Sequence, residues 1–163
     1  TVDKGFLDET KTSPFSGLGS YKSQAHKVIG ELKNLDMFLD AIQHAQELDT
    51  TVTSFIMSPA TLTKLAKLKR FDTSQEPLLG TSEAPGAMAI AGVPLKASKW
   101  CADNVIWAVP GDRMYLSLRE DVTLKFDEMA DFNRMTSGLI AYMRVGMGSI
   151  QPEALTRINV SNE

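Results

Sequence analysis

The chain has 163 residues, of which 43% are hydrophobic and 23% charged, and its formal net charge at pH 7 is −3. This length allows one domain with a real core and part of a second, with an ordinary globular composition. The acidic balance argues against a broad nucleic-acid-binding surface, but it is compatible with a local basic strip. No apolar run is long enough to span a bilayer, and Cys101, the only cysteine, excludes an intrachain disulfide.

Residues 1–25 are rich in glycine, serine, threonine and lysine without a sustained period, which predicts an extended N-terminal segment. Because the chain opens on Thr1 and not on Met, we expect a processed product or an expressed fragment with residues upstream. A helix is predicted next, since apolar residues recur at steps of three and four and form a stripe. The stripe comprises Leu32, Leu35, Leu39, Ile42 and Ala45. Polar residues 49–51 end this helix.

A buried strand and a capped helix are predicted in the next stretch. Val52–Met57 is apolar and partly β-branched, as expected for a strand. Ser58 can cap the free N–H groups of a following helix, and Pro59 suits its first position. The apolar face of this helix contains Leu65, and lysines gather toward its end near residue 70. Residues 71–87 are predicted to be a polar loop broken by proline and glycine.

Strand patterns dominate the second half of the chain, with alternation or short apolar runs separated by turns. The predicted strands are Met88–Ala91, Leu95–Ser98, Val105–Val109, Met114–Leu118, Val122–Phe126 and Gly138–Val145. A single helical turn is predicted over Pro152–Leu155 before the chain frays. Helices early and strands late predict an α+β fold, with the helices packed on a mainly antiparallel sheet.

Four stretches in order resemble the tailed-phage major capsid proteins of the Hong Kong 97-type family. The first is the strand, cap and basic helix over residues 55–69, and the second is the Gly-x-Pro hairpin after the loop, over residues 78–98. The third is the Gly-Asp turn with its following strands, over residues 110–124. The fourth is the last long strand with its arginine and the closing Pro-x-Ala turn, over residues 142–155. Their order and spacing carry the resemblance.

The resemblance implies the C-terminal half of such a protein, with the family's N-terminal arm, extended loop and long spine helix normally preceding it. Residues 1–25 would be the extended N-terminal segment, 26–135 an axial-like domain, and 136–163 the C-terminal part of a peripheral-like domain. The implied function is structural and not enzymatic: a subunit that assembles into hexamers and pentamers of an icosahedral phage or prophage capsid.

The same resemblance implies the location and the partners. The expected location is the virion, after assembly in the bacterial host cytoplasm. The expected partners are other copies of the chain, with scaffold, portal or decoration proteins in addition. Packaged DNA would be contacted only indirectly, and no membrane is involved. An encapsulin-like bacterial nanocompartment shell is the alternative. A neighbouring cargo gene would favour this alternative, whereas a neighbouring portal or terminase gene would favour the phage capsid. A small hydrolase or binding domain is a more distant alternative, which a pocket of convergent polar groups would favour.

Neither histidine nor cysteine forms a recognisable catalytic or metal motif in the sequence. His26 and His44 lack the close helical spacing of a metal-binding pair, and we expect no convergent constellation around them. Cys101 is expected to be a small packed thiol, because free cysteines are commonly buried. We therefore predict no catalytic, cofactor-binding or metal-binding residues.

Other chemistry-bearing groups also have simpler explanations. A small acidic group lacks the ligand order of a calcium loop, so we expect a solvated turn or a charged subunit rim there. It consists of Asp127, Glu128 and Asp131. The glycine-rich stretch over residues 16–20 lacks phosphate-loop spacing and predicts a flexible loop. Residues 146–149 lack the closing glycine of a nucleophile elbow. The aromatic residues Trp100, Trp107 and Tyr115, with Met114, are expected in packing and not in a ligand pocket.

Overall fold

A computed structural model describes residues 2–7, 17–32, 35–69, 88–131 and 136–161, without the side chains of residues 2–3, 127–131 and 136–137. The described residues form three helices: α1 (Val2–Leu7), α2 (Asp36–Glu47) and α3 (Pro59–Ala66). The strands are β1 (His26–Glu31), β2 (Ser54–Met57), β3 (Ala89–Ile90), β4 (Val93–Ala97), β5 (Val105–Val109), β6 (Met114–Asp131), β7 (Thr136–Ser149) and β8 (Thr156–Ser161). The loop predicted over residues 71–87 lies outside the described residues. None of the described helices is long and apolar enough to cross a membrane.

Six strands form a mixed sheet in the order β1-β8-β5-β2-β4-β3. The junctions β8–β5, β5–β2 and β4–β3 are antiparallel, whereas β1–β8 and β2–β4 are parallel. The predicted α+β class is confirmed, and the sheet is antiparallel at three of its five junctions. Strands β6 and β7 form a separate two-stranded sheet.

The helices α2 and α3 cover one face of this sheet and bury the main core against it. Phe38 of α2 meets Phe55 of β2 edge to face, with ring centroids 5.0 Å apart, and both side chains are fully buried. The small residues Ala41 and Ala45 of α2 are also fully buried, which lets the helix backbone approach the strands. Most of the predicted apolar stripe packs on this core, including Leu35, Ile42 and Ala45, whereas Leu39 at its edge is 51% exposed.

The cap of α3 is confirmed in detail. The Ser58 hydroxyl oxygen accepts a hydrogen bond from the Thr61 backbone N–H at 3.2 Å, and Pro59 occupies the first helical turn. Leu65 is fully buried in the main core, as its place on the helical face predicts. The helix ends at Ala66, earlier than the basic residues near position 70 imply, and Lys67 occupies its C-cap.

The N-terminal segment is not extended throughout, which corrects the prediction for residues 1–25. Residues 2–7 form α1, and Leu18–Tyr21 form a 3-10 turn whose Leu18 is buried. Gly17 lies so close to α1 that an added Cβ would stand 2.5 Å from the Gly5 carbonyl oxygen. This close contact and the apolar residues Leu7 and Leu18 order the segment against the second face of the sheet. The glycine-rich stretch, where described, is thus a packed turn and not a flexible loop.

The C-terminal residues return to the sheet instead of fraying after the predicted helical turn. Pro152–Ala154 form that turn as a 3-10 helix, and β8 then enters between β1 and β5. The predicted boundary between residues 135 and 136 falls between β6 and β7, whose residues pair with each other. The structure therefore groups β8 with β1–β5, and the two strands over 114–149 stand apart, because the last strand supplies backbone partners to both of its neighbours.

We expect Leu65→Ala to lower the free energy of unfolding by about 2–5 kcal/mol, the range for large-to-small changes in a packed core. Leu39→Ala is the matched control in α2, because the Leu39 side chain is half exposed. It should change the free energy of unfolding by no more than about 0.5 kcal/mol. Chemical denaturation of both variants measures the difference. Equal losses in the two variants would show that α3 does not bury Leu65.

Candidate assembly interface

The two long strands β6 and β7 form an antiparallel ribbon that runs out from the central sheet. The ribbon pairs Met114 with Ser149 at its base and Asp131 with Thr136 at its far end. The sequence predicts two short strands separated by a charged turn near residue 120, but β6 continues through that stretch. β6 continues because its partner β7 is an uninterrupted strand. β7 itself is longer than the predicted Gly138–Val145.

One face of the ribbon is apolar along most of its length. Facing pairs on this face include Leu118 with Val145 and Phe126 with Leu139. Because side chains alternate between the faces of a strand, the register places a continuous apolar set on the same side. The set, called here the apolar ribbon face, comprises Leu116, Leu118, Val122, Leu124, Phe126, Leu139, Ala141, Met143, Val145 and Met147.

Two register shifts in β6 keep this face apolar. One shift lies between Leu118 and Glu120, and the other lies between Glu120 and Thr123. The first shift turns Glu120 to the opposite face, where its carboxylate forms an ion pair with Arg144 at 3.2 Å. The second shift restores the original alternation, so that Leu124 returns to the side of Leu118. The bulged stretch therefore removes a charge from the apolar ribbon face.

The apolar ribbon face is exposed over most of its length. Leu116 is 67% exposed, and Phe126 and Leu124 are each 64% exposed. A lone two-stranded ribbon is marginally stable in water, and a large contiguous apolar patch marks an interaction surface. The opposite face is mixed, with Lys125 over the Tyr142 ring at 5.5 Å. The ribbon therefore needs a covering partner on one side.

Polar contacts fix the base of the ribbon to the central sheet. The Tyr21 hydroxyl oxygen accepts a hydrogen bond from the Ser149 backbone N–H at 3.1 Å. The Thr50 hydroxyl donates to the Asp112 carboxylate at 3.1 Å, and the Arg113 guanidinium donates to the Asp49 carbonyl oxygen at 3.1 Å. These contacts set the direction in which the ribbon leaves the sheet, so its exposed face has a defined position.

The structure brings the two histidines together, contrary to the expectation that nothing converges on them. The His26 and His44 rings stack with centroids 3.9 Å apart and planes 20° apart. The Nε2 atom of His44 also lies 3.2 Å from the Glu153 carbonyl oxygen. Stacked rings do not point their nitrogen atoms at a common point, and no metal-binding group of three ligands occurs within the described ranges. The pair was missed because its members are on different elements, β1 and α2.

Stacking has an electrostatic consequence for His26. Burial lowers the pKa of His26 below its ordinary value, the neighbouring His44 lowers it further, and Glu47 opposes both effects. The folded protein thus binds a proton on this ring less readily than the unfolded chain does.

The remaining candidates have structural places. Cys101 is a buried thiol, as predicted, with its Sγ 3.7 Å from the Val105 carbonyl oxygen. Trp107 is fully buried in the core of the second sheet face, whereas Tyr115 on the ribbon is 53% exposed. The ammonium groups of Lys4 and Lys99 lie 5.0 and 4.9 Å from the Trp100 ring centroid.

The two remaining motifs lie on the ribbon. The backbone of Asp127, Glu128 and Asp131 belongs to strand β6 and not to the predicted turn, and their side chains lie outside the described set. Gly146–Ser149 is part of β7, so it makes no strand-to-helix elbow. The acidic group therefore marks the far end of the ribbon and the glycines its base.

A sheet of this topology with a long projecting ribbon defines a shell-protein fold, and the comparisons with known proteins agree. The model of the Phage capsid family matches residues 2–160, so the chain belongs to that family. The predicted resemblance and the Hong Kong 97-type fold are confirmed. No curated protein sequence matches the chain.

Solved shell structures have the same fold at low sequence identity. The capsid of an empty GTA particle superimposes with a TM-score of 0.74 at 14% identity, covering 98% of this chain and 60% of that chain. A structure from Gordonia phage Cozz gives 0.70 at 16% identity, covering 99% and 59%. A virus-like particle from Pyrococcus furiosus gives 0.51 at 17% identity, covering 85% and 56%. The chain thus spans about three fifths of the length of these capsid chains.

We expect stability to decrease as the pH falls below about 6.5, the ordinary value for histidine. Below that pH the unfolded chain takes up a proton on His26, whereas the folded state does so only at its lowered pKa, so acid favours unfolding. Denaturation at about pH 7.5 and about pH 5.5 should show a smaller acid-induced loss for His26→Gln than for the unchanged chain. An equal loss in both would contradict the lowered pKa.

Proposed function

We propose that this chain is the larger part of a structural subunit of an icosahedral phage or prophage capsid, which assembles into hexamers and pentamers around DNA. The observation that carries the proposal is the apolar ribbon face, which a protein acting as a monomer would leave in water. Family membership supports it, because the matching family is one of capsid proteins. The subunit would act mechanically, without catalysis or a cofactor. Its place would be the virion, after assembly in the host cytoplasm.

The surface geometry is that of a subunit with directional contacts. A ribbon projects from one side of the sheet, so contacts between copies join different surfaces and generate closed rings when the rotation closes. The central sheet corresponds to the axial-like domain of the resemblance and the ribbon to part of the peripheral-like domain. Scaffold, portal and decoration proteins would meet the assembled rings and not the single chain.

The spine helix of the family is our candidate to cover the apolar ribbon face. In the family it precedes the region that this chain resembles. The helix α1 brings Leu7 to the same cluster as Met114 and Met147, at the base of the ribbon. Phe6 also lines a cavity there with Met114 and Met147. The N-terminal helix is thus anchored at the base of the ribbon by its last residues, and an upstream helix would join its other end.

An encapsulin-like compartment is the second candidate function. The similarity to a virus-like particle from Pyrococcus furiosus, at a TM-score of 0.51, is lower than the 0.74 of the GTA capsid, so the phage-type shell is preferred. The two functions differ in contents, since a phage shell encloses DNA and a compartment encloses cargo protein. Purified shells would separate them by their absorbance ratio at the nucleic-acid and protein maxima.

The assembly proposal predicts different states for the partial and the whole subunit. We expect the 163-residue chain alone to remain a monomer or weak oligomer at micromolar concentration, because its 163 residues do not include the spine helix proposed to complete the interface at the apolar ribbon face. The whole subunit should form rings and closed shells, seen by light scattering and electron microscopy. Stable closed shells from the 163-residue chain would contradict the partial-subunit proposal. A whole subunit that stays monomeric under every assembly condition would contradict the capsid proposal itself.

A matched pair of ribbon variants tests the role of its apolar face. Leu124→Glu puts a charge on that face and should abolish shell formation by the whole subunit, because a buried unpaired charge is costly. Thr123→Glu adds the same charge to the opposite face, where Thr123 pairs with Tyr142, and should leave shells intact. The count of shells per field by electron microscopy compares them. Shells from both variants would show that the apolar ribbon face is not covered during assembly.

A further inference from the structure

The sheet face opposite α2 and α3 collects basic side chains. The pairing register aligns Lys27 of β1 with Arg157 of β8, Arg157 with Trp107 of β5, and Trp107 with Ile56 of β2. Ile56 in turn is level with Lys96 of β4. Residues level with one another in neighbouring strands lie on the same face of a sheet. The row therefore carries cations at its two margins, with Trp107 buried between them beneath the N-terminal segment.

A second basic group lies beside this row. The ammonium groups of Lys4 and Lys99 both lie over the Trp100 ring, at 5.0 and 4.9 Å from its centroid. Lys4 belongs to α1, which packs on this sheet face through Leu7. The set of Lys4, Lys27, Lys96, Lys99 and Arg157 is called here the basic face.

The charges are distributed unequally between the two sides of the sheet. On the side of the basic face the described carboxylates include Glu31 and Asp103, fewer than the cations gathered there. On the other side α2 exposes Asp36, Asp40 and Glu47 and has no lysine or arginine. Lys64, Lys67 and Lys69 of α3 and its end also lie on that other side, so only the α2 surface is acidic there, whereas the basic face carries an excess of cations.

We propose that the basic face contacts the phosphate backbone of double-stranded DNA. This inference rests on the proposed capsid function and assigns the basic face to the lumen of the shell. It replaces the expectation of purely indirect DNA contact. The margins of the row, Lys27 and Lys96, are four strand spacings apart, about 19 Å. A duplex presents a phosphate charge about every 1.7 Å along its axis, so phosphates are available to the cations at each margin, on either side of the N-terminal segment that covers Trp107.

The proposed DNA contact is independent of base sequence. Its affinity is low for a single chain and becomes high only when many chains in a shell bind the same duplex. Lysines bind phosphate as point charges and read no base edges. Non-specific binding by such groups has a dissociation constant of about 10⁻⁴–10⁻⁶ M and falls steeply with salt. Many copies on one shell would bind the same duplex together, so the weak contacts add.

The test measures binding of a labelled short DNA duplex to the 163-residue chain by fluorescence anisotropy, between about 50 and 200 mM salt. Lys96→Ala with Lys99→Ala should lower the magnitude of the slope of log K against log salt by about 2, since each lost phosphate contact removes about 0.9. Lys67→Ala with Lys69→Ala is the matched control, because it removes the same charge at the end of α3, on the other sheet face. It should leave the slope unchanged.

Two outcomes would overturn the inference: equal loss of slope in both double variants, or no measurable binding by the unchanged chain at the lowest salt. Circular dichroism of each variant confirms that it is folded before its slope is compared. Shell formation by the whole subunit, measured by electron microscopy, is the independent check on the function. Shells without binding at the basic face would refute the inference alone, whereas the absence of shells would refute the proposed function.

Discussion

The insertion of β8 between β1 and β5 is the interaction on which the rest of this structure depends. It pairs residues at opposite ends of the described chain, with His26 level with Thr156 and Glu31 level with Ser161. Without β8, the strand β1 loses its only sheet neighbour among the described strands, and β5 is left as an open edge. The fully buried Leu155 and Ile158 belong one to each sheet-face core. The two cores therefore form together, and only when the chain has returned from the ribbon.

This return also explains the ribbon. The chain leaves β5 and must come back to pair beside it, so the intervening segment can only run out and back as a hairpin. The base is held at fixed points, including the Tyr21 contact to Ser149 and the Ile150 backbone N–H donating to the Arg113 carbonyl oxygen at 3.1 Å. Because the base is fixed by the sheet, the apolar ribbon face is presented in one orientation. A ribbon whose base is held in place by the sheet is suited to form the same interface in every copy of a subunit.

Local signals in the sequence predicted local structure well. The Ser58 cap, Pro59 and the β5 strand depend on neighbours within a few residues, and each is where the pattern indicates. The α2 stripe was predicted correctly except at Leu39, and the central role of Phe38 was missed because it depends on Phe55 across the core. β8 was missed because its pattern is short and its stabilising partners β5 and β1 are distant in sequence, with Ala108 and His26 both paired to Thr156.

The candidate site was predictable only in part, for the same reason. The alternating apolar residues of β6 were recognised, but the charged stretch near Glu120 was interpreted as a turn. A charge in a strand is acceptable there because Arg144 of the other strand neutralises it. The stacking of His26 on His44 and the alignment of Lys27, Arg157 and Lys96 depend on pairing between distant strands, which a single sequence does not specify. The overall architecture was predicted from the family resemblance, because pairings between distant strands cannot be inferred from local sequence patterns.

The basic face has a consequence for a closed shell. If every copy turns this face inward, its basic side chains add up on the inner surface. A duplex inside would then meet local cations even though each chain is acidic overall, since charges beyond about 8 Å are largely screened at physiological salt. The local surface, and not the net charge, therefore decides whether such a shell attracts or repels its contents.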